Sequence, residues 1–245
     1  TIDMTIPIVT VGTSPGVKSG GLLSQPLNEL QVRCLPKDIP GHIEVEIGER
    51  ETRRIKTSLR LSGLPTGQTL GSFDFGFQPA MEKSRIETLA TCSWIREHAC
   101  VLFQGPPGTG KTHMAVALGV KAIENGFSVA FYRLDVLLHA MKQDADVSPQ
   151  KLRRKKYLNV ALLIIDEVGF QPMSRQEASL FFRLVSFRYQ RGATLITTNK
   201  AVKDWPEILA GDLALTTALP DRRVARSSRN LPSRMRVTMT APVSK

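Results

Sequence analysis

Residues 105–113 read GPPGTGKTH and match the pattern G-x-x-x-x-G-K-[ST]. Backbone N–H groups of such a glycine-rich loop surround a phosphate chain, and the lysine reaches the outer phosphates. The apolar run ACVLFQ ends directly before the loop, and HMAVALGVKAIENG at residues 113–126 has the pattern of a helix closed by asparagine and glycine. The sequence therefore predicts a strand, a phosphate-binding loop and a helix in succession, which is typical of a parallel α/β sheet.

The loop residues are candidate nucleotide contacts. The amino end of the following helix offers partial positive charge and free N–H groups to the phosphates. Lys111 is expected to contact the β and γ phosphate oxygens, and the hydroxyl of Thr112 is expected to bind Mg²⁺. The predicted nucleotide-binding residues are Gly105, Pro106, Pro107, Gly108, Thr109, Gly110, Lys111, Thr112 and His113.

Two carboxylates follow a second apolar run. Residues 160–170 read VALLIIDEVGF, which predicts a central strand of a doubly wound sheet whose carboxyl end faces the ligand. Asp166 is predicted to bind Mg²⁺ together with Thr112, and Glu167 to orient or deprotonate the attacking water as a general base. Without the phosphate-binding loop, the same Asp-Glu pair would be weak evidence for a site.

A third predicted strand, ATLITTN, ends at Asn199. The helix before it begins with a capping-box pattern formed by Ser174 and Glu177. An amide at the end of a buried strand beside the carboxylates is suited to sense the γ-phosphate or to hold the attacking water. The alternative interpretation of Asn199 is an asparagine that belongs to a turn.

Positive charge is the strongest signal in the composition. The chain has 33 Lys and Arg against 22 Asp and Glu, a net charge of +11, and its basic residues form groups at 50–60, 151–156 and 222–236. One such run is typical of a solvated face, whereas three beside a nucleotide site favour a nucleic-acid partner. The group at 151–156 is the first candidate for contacts with DNA phosphates; its alternative is a solubilising loop.

No membrane partner is expected. The chain has no run of about 18 apolar residues, and its amino-terminal segment lacks the basic and apolar regions of a secretion signal. These features predict a cytoplasmic protein.

The first 48 residues have β character. The segments IPIVTV, LNELQVRCL and GHIEVEIG have near-alternating apolar residues and are separated by turns rich in glycine and proline, which predicts antiparallel strands. The sequences GVKSGG and CLPKDIPGHIEV resemble the C-terminal β domain of the CTC family of general-stress ribosomal proteins, which bind 5S ribosomal RNA. The resemblance stops at Gly48 and implies a partial β unit without an intact RNA site.

Residues 50–222 resemble the IstB-like helper ATPases of bacterial insertion sequences, AAA+ relatives of the DnaC helicase loaders. The resemblance rests on SFDFGFQP, GPPGTGKTHMAVALG, LLIIDEVGFQPMSRQEASLFFRLVSFRYQRG and TLITTNKAVKDW. It implies an α/β P-loop NTPase fold and an ATPase that uses ATP and Mg²⁺. It also implies a homo-oligomer that assembles on duplex DNA and presents a target to the transposase of the same element. Arg222 matches the position of the family's candidate trans-acting catalytic arginine.

The chain therefore divides into a partial β domain at 1–48, a basic helical lead-in at 49–96, an AAA+ ATP-binding domain at 97–222 and a tail at 223–245. The tail has no apolar periodicity, which predicts an irregular basic segment that does not pack. A shifted reading frame would produce such a loss of pattern. A helicase-loader-like ATPase, a fragment that binds 5S ribosomal RNA and an inactive hybrid are the alternative functions.

Overall fold

The computed structural model describes residues 2–12, 28–35, 39–76, 82–145, 147–152, 154–201, 204–209 and 234–238. The chain forms two compact units, Thr1–Ser58 and Leu59–Lys245. Within the described ranges, no helix is both long enough and apolar enough to cross a membrane.

The first unit contains a three-stranded sheet. Its strands are β1 (Ile2–Val11), β2 (Glu29–Cys34) and β3 (Ile43–Glu46), in the order β2-β1-β3. The three predicted strands are confirmed, and β1 and β2 are antiparallel as expected. The antiparallel prediction is wrong for β1 and β3, which pair in parallel. After β2 the chain reverses direction once more and reaches the opposite side of β1, so that β3 runs in the direction of β1.

A basic helix follows β3 without a linker. Helix α1 spans Ile47–Ser62, which confirms the change from β to helical character predicted near residue 48. The division between the two compact units falls inside this helix, between residues 58 and 59. Gly63 follows the last turn, and its φ of 76° lies in the left-handed region that favours glycine at a helix terminus.

The second unit is built on a five-stranded parallel sheet. The strands lie in the order β5-β6-β7-β4-β8, and each neighbouring pair is parallel. In chain order the elements are α2 (Lys83–Ala90), α3 (Ser93–Arg96), β4 (Cys100–Gln104), α4 (Lys111–Glu124), β5 (Val129–Arg133), α5 (Leu134–Gln143), α6 (Pro149–Leu152), α7 (Lys156–Asn159), β6 (Leu162–Val168), α8 (Arg175–Arg188), β7 (Ala193–Thr198), α9 (Trp205–Ile208) and β8 (Arg234–Thr238).

Helices cover both faces of this sheet. Alternate residues of a strand point to opposite faces, so a strand covered on both sides is buried along its length, as β7 and all of β6 except Glu167 are. On one face Gly119 of α4 lies against Ile164, and a Cβ at this glycine would approach the Ile164 Cδ1 to 2.8 Å. On the other face Leu137 of α5 and Phe181 of α8 share a buried cluster with Ile165. The predicted α/β fold with a doubly wound parallel sheet is confirmed.

The structure corrects the prediction for the tail at one place. Residues 234–238 form β8, which pairs in parallel with β4 from Cys100 to Gln104. The prediction of an irregular segment is therefore wrong for these five residues. The edge of β4 offers backbone N–H and C=O groups that a short strand can satisfy. The sequence RMRVT alternates polar and apolar residues, a period of two that suits a strand and does not require a longer apolar pattern.

Candidate nucleotide-binding site

The phosphate-binding loop begins at the carboxyl end of β4, in the middle of the sheet. The N–H of Gly105 donates to the carbonyl oxygen of Thr198 at 3.1 Å, which ties the start of the loop to the end of β7. Gly108 and Gly110 have φ values of 78° and 82°, a conformation that side-chain-bearing residues rarely adopt. The second of these glycines is the N-cap of α4. The predicted succession of strand, loop and helix is confirmed.

The lysine of the motif is half-buried in the loop. Its Nζ donates to the carbonyl oxygen of Pro106 at 2.6 Å and to the hydroxyl of Thr109 at 3.4 Å. Burial lowers the pKa of Lys111 because it removes water from the ammonium group, while the charge of Asp166 acts in the opposite direction. The ammonium is thus attached to loop acceptors that a phosphate oxygen can replace.

Asp166 joins three elements at the carboxyl edge of the sheet. The Thr112 hydroxyl, in the first turn of α4, donates to the two carboxylate oxygens at 3.0 and 3.1 Å. The hydroxyl of Thr197, on β7, donates to the same carboxylate. Asp166 is only 3% exposed. A buried carboxylate and a hydroxyl in contact are oxygen donors of the kind that Mg²⁺ prefers, so these side chains fit the predicted metal site.

Glu167 occupies a strained position next to this carboxylate. Its φ is 62°, and the pairing of β6 with β7 is irregular between Ile165 and Val168. The backbone N–H of Glu167 donates to the Thr197 hydroxyl at 3.0 Å. The bulge turns the Glu167 side chain out of the sheet, where its carboxylate lies 3.0 Å from the Arg133 guanidinium. Arg133 also contacts Asp135 at 3.4 Å.

Two residues of this site were not predicted from the sequence. Thr197 contacts both Asp166 and the backbone of Glu167, but threonine is common in strands and gives no signal of its own. Arg133 stands at the end of β5, which neighbours β6 in the sheet. Its role follows from the strand order, because residues at the carboxyl ends of adjacent parallel strands lie side by side.

The remaining predicted site residues are Asn199, His113 and Arg222. Asn199 follows β7, and its side-chain oxygen is buried without a hydrogen-bond partner among the described residues. His113 directs its Nε2 toward the carbonyl oxygen of Thr69, at 3.0 Å. This contact with the lead-in segment differs from the nucleotide contact that the sequence predicts for His113. Arg222 lies outside the described residues.

The basic group at 151–156 is partly engaged within the protein. Lys155 forms an ion pair with Asp144 at 2.6 Å, and Lys156 donates to the carbonyl oxygen of Leu61 at 3.0 Å. Lys151 and Arg154 are exposed, and Arg153 lies outside the described residues. Lys156 is exposed as well but donates to Leu61, so Lys151 and Arg154 are the members of this group best placed to contact a polyanion.

Two family profiles match parts of this chain. The profile described as IstB-like ATP binding protein matches residues 38–231, and that of the ribosomal protein TL5 C-terminal domain matches residues 1–71. The chain is 40% identical to the insertion sequence IS21 ATP-binding protein of Pseudomonas aeruginosa over 189 residues, which cover 76% of this chain and 70% of that protein. It is 35% identical to the IS5376 ATP-binding protein of Geobacillus stearothermophilus over 185 residues, which cover 76% of this chain and 73% of that protein.

Solved structures share the fold of the second unit. The DnaC helicase loader superposes with a TM-score of 0.52 and 21% identity, over 64% of this chain and 86% of that chain. The AMPPCP-bound DnaA from Aquifex aeolicus superposes with a TM-score of 0.55 and 18% identity, over 71% of this chain and 51% of that chain. At this level of identity, the likeness establishes an AAA+ fold.

Proposed function

The chain belongs to the family of IstB-like ATP-binding proteins, and from that membership we propose that it hydrolyses ATP while it assembles as a homo-oligomer on duplex DNA to assist the transposase of the same element. The observation that carries the proposal is the cluster of Thr112, Asp166 and Glu167 around the carboxyl end of β6. The Thr112 hydroxyl lies 3.0 Å from a carboxylate oxygen of Asp166, and Glu167 follows Asp166 directly in the chain.

Each residue of the site has a separate role in the proposed hydrolysis. Lys111 exchanges its bonds to the loop for bonds to the β and γ phosphates of ATP. Thr112 and Asp166 would hold Mg²⁺, which would neutralise negative charge on the phosphate oxygens. Glu167 leaves the Arg133 ion pair and accepts a proton from the attacking water. Asn199 orients that water or the γ-phosphate, and Arg222 of a neighbouring subunit adds positive charge.

Thr197 keeps the two carboxylates in different roles. It donates to Asp166 through its hydroxyl hydrogen and accepts the N–H of Glu167 through its hydroxyl oxygen. The same hydroxyl therefore fixes the Asp166 carboxylate toward Thr112 and the Glu167 backbone at the bulge. A metal ligand and a general base can be adjacent in sequence because this backbone arrangement separates their side chains.

The charge of the chain supports duplex DNA as the partner. A net charge of +11 favours binding to a polyanion, and contacts with phosphates need no particular base sequence. The exposed side chains of Lys151 and Arg154 are suited to such contacts. DNA binding of this kind tolerates many sequences, which suits a protein that handles varied insertion targets.

The proposal is tested by ATP hydrolysis with purified protein and Mg²⁺. We expect duplex DNA of unrelated sequences to stimulate the rate to a similar extent, and Lys111→Ala to show no turnover under the same conditions. Absence of ATP turnover with and without duplex DNA would contradict the proposal.

A second candidate function is favoured by the match of residues 1–71 to the ribosomal TL5 C-terminal domain. In this alternative the chain binds 5S ribosomal RNA. The same hydrolysis assay separates the two, with a binding measurement alongside it. Selective binding of 5S ribosomal RNA over duplex DNA, without DNA-stimulated hydrolysis, would favour the ribosomal candidate.

A further inference from the structure

A segment of the lead-in region lies across the phosphate-binding loop. We call residues 69–75 the strap. Within it, Thr69 and Ser72 form a closed turn: the Thr69 N–H donates to the Ser72 hydroxyl at 2.9 Å, and that hydroxyl donates to the Thr69 carbonyl oxygen at 3.0 Å. The Ser72 N–H donates to the Thr69 hydroxyl at 3.2 Å. These bonds give the strap a defined shape although it contains neither helix nor strand.

His113 attaches the strap to the first turn of α4. Its Nε2 lies 3.0 Å from the Thr69 carbonyl oxygen and 3.2 Å from the Ser72 hydroxyl. A carbonyl oxygen only accepts hydrogen bonds, so this contact assigns a hydrogen to Nε2 of His113. The imidazole therefore donates to the turn, and both acceptors belong to the strap.

Phe73 provides a second contact, which reaches both His113 and Gly110. Its ring meets the His113 ring edge-on, with centroids 5.2 Å apart. Its Cε2 would lie only 2.6 Å from a Cβ at Gly110, so the strap touches the loop where a side chain has no room. Gly110 precedes Lys111, and His113 follows Thr112. The strap thus contacts both ends of the Lys111–Thr112 pair.

We propose that His113 is a positioning residue that fixes the strap across the loop and thereby sets Lys111 and Thr112 for phosphate binding. The inference rests on the proposed binding of ATP. Lys111 donates to the Pro106 carbonyl oxygen within the loop, and the Phe73 ring packs over Gly110, the residue directly before it. Phosphate binding and the position of the strap are therefore coupled through Gly110 on one side and His113 on the other.

The first test compares His113→Ala with His113→Gln in ATP binding and steady-state hydrolysis. Loss of the hydrogen bonds to the strap should raise the Kd and KM for ATP by roughly tenfold, with a smaller effect on kcat. The glutamine amide can donate to Thr69 in place of the imidazole, so His113→Gln should recover most of the affinity. His139→Ala is the matched control, because His139 is an exposed histidine on α5 and should leave both constants unchanged.

The second test measures amide hydrogen exchange in residues 69–75 with and without ATP. ATP should slow exchange there in the wild-type protein and have less effect in His113→Ala. Phe73 lies outside the phosphate-binding loop, and Phe73→Leu should also raise the Kd for ATP. This variant replaces His113→Ala if His113→Ala does not fold. Wild-type affinity in His113→Ala, or no recovery in His113→Gln, would overturn the inference while leaving ATP binding intact. Failure of the wild-type protein to bind ATP would overturn the proposed function as well.

Discussion

At the scale of single residues, the half-buried ammonium of Lys111 makes its contacts in the phosphate-binding loop and not in the core. It donates to the Pro106 carbonyl oxygen and the Thr109 hydroxyl, which are loop acceptors rather than parts of the core. The desolvation that lowers the pKa of Lys111 is offset when the group meets phosphate, because a charged partner replaces the lost water. We therefore expect Lys111 to contribute to ATP binding and little to the stability of the fold.

We predict that Lys111→Ala weakens ATP binding by roughly 100-fold or more, because two charge-assisted hydrogen bonds to phosphate are worth about 3 kcal/mol. Calorimetric titration with ATP measures the loss, and thermal unfolding without ATP should change little. Lys121→Ala is the control on the same helix, because Lys121 is paired with Glu124 at 2.9 Å. Equal affinities of Lys111→Ala and wild type would remove the phosphate-binding assignment.

We predict that Glu167→Gln preserves ATP binding and slows hydrolysis by roughly 10² to 10⁴-fold, since the amide keeps the shape and loses the base. The measurements are single-turnover hydrolysis and ATP affinity. Asp135→Asn removes the other carboxylate that contacts Arg133 and should keep hydrolysis near the wild-type rate. If Glu167→Gln instead lost ATP affinity with turnover per bound ATP unchanged, the roles assigned to the two carboxylates would be wrong.

The sequence was informative about residues that break a pattern. Asp166 and Glu167 follow an apolar run, where carboxylates are costly to bury without a partner, so they stand out in the sequence. Thr197 does not, because a threonine in a strand has an ordinary structural explanation. Arg133 required the strand order, since its contact with Glu167 depends on β5 and β6 being neighbours in the sheet.

At the scale of helices and strands, Arg188 connects three elements. The residue is 1% exposed, and its guanidinium donates to carbonyl oxygens around α7 and to the start of β7. The acceptors are the carbonyl oxygens of Tyr157 at 3.3 Å, Leu158 at 3.2 Å, Val160 at 2.9 Å and Ala193 at 2.7 Å, and the Thr194 hydroxyl at 3.4 Å. The end of α8 is thereby fixed to the segment that precedes β6 and to the start of β7.

We predict that Arg188→Met lowers the free energy of unfolding by about 3 kcal/mol, because several buried carbonyl groups lose their donor at once. Urea denaturation measures the change. Arg183→Met, at an exposed position of the same helix, should change stability by less than about 0.5 kcal/mol. Equal stabilities of the two variants would show that the carbonyl cluster finds other donors.

We predict that part of the stability depends on pH through Glu177 at the amino end of α8. An ion pair with Lys142 and hydrogen bonds from Ser174 lower the pKa of Glu177 from 4.5 to about 2. The unfolded chain takes up this proton at a higher pH than the folded protein. The contribution is therefore full above pH 4.5 and is lost as the pH falls toward 2.

The measurement is the stability difference between wild type and Glu177→Gln in urea at several pH values. The difference should be constant at neutral pH and shrink below about pH 4.5. Lys142→Met removes the main cause of the low pKa, so it should reduce this pH dependence. A difference that grows on acidification would contradict the assignment.

Helices and strands were predictable from the sequence where their residue pattern was long. The helix that begins with Ser174 and Glu177 was recognisable, and both hydrogen bonds of its capping box are present. Strand β8 was missed, because five residues of mixed polarity satisfy a sheet edge through their backbone without any apolar run. The parallel pairing of β1 and β3 was missed for a similar reason: alternation identifies a strand but not the direction of its neighbour.

At the scale of the whole molecule, net charge and its placement determine which partner the protein can bind. The net charge of +11 attracts polyanions, and this attraction comes from the whole chain and not from one residue. The ion pair of Lys155 with Asp144 and the bond from Lys156 to Leu61 use two basic groups of the segment 151–156 internally. Charge count alone therefore overstates how many of these side chains are available to a polyanion.

We predict that duplex DNA binding requires ATP, shows little sequence preference and falls steeply with salt. About four phosphate contacts would give a slope near −3.6 in a plot of log affinity against log salt concentration, because each contact releases condensed counterions. Lys151→Ala with Arg154→Ala should reduce the magnitude of that slope by about 1.8. Lys155→Ala with Lys156→Ala removes the same formal charge and should change the slope less, since both groups have partners within the protein. Equal slopes for the two double variants would mean that DNA responds to total charge alone, and an unchanged slope in Lys151→Ala with Arg154→Ala would place the DNA surface elsewhere on the chain.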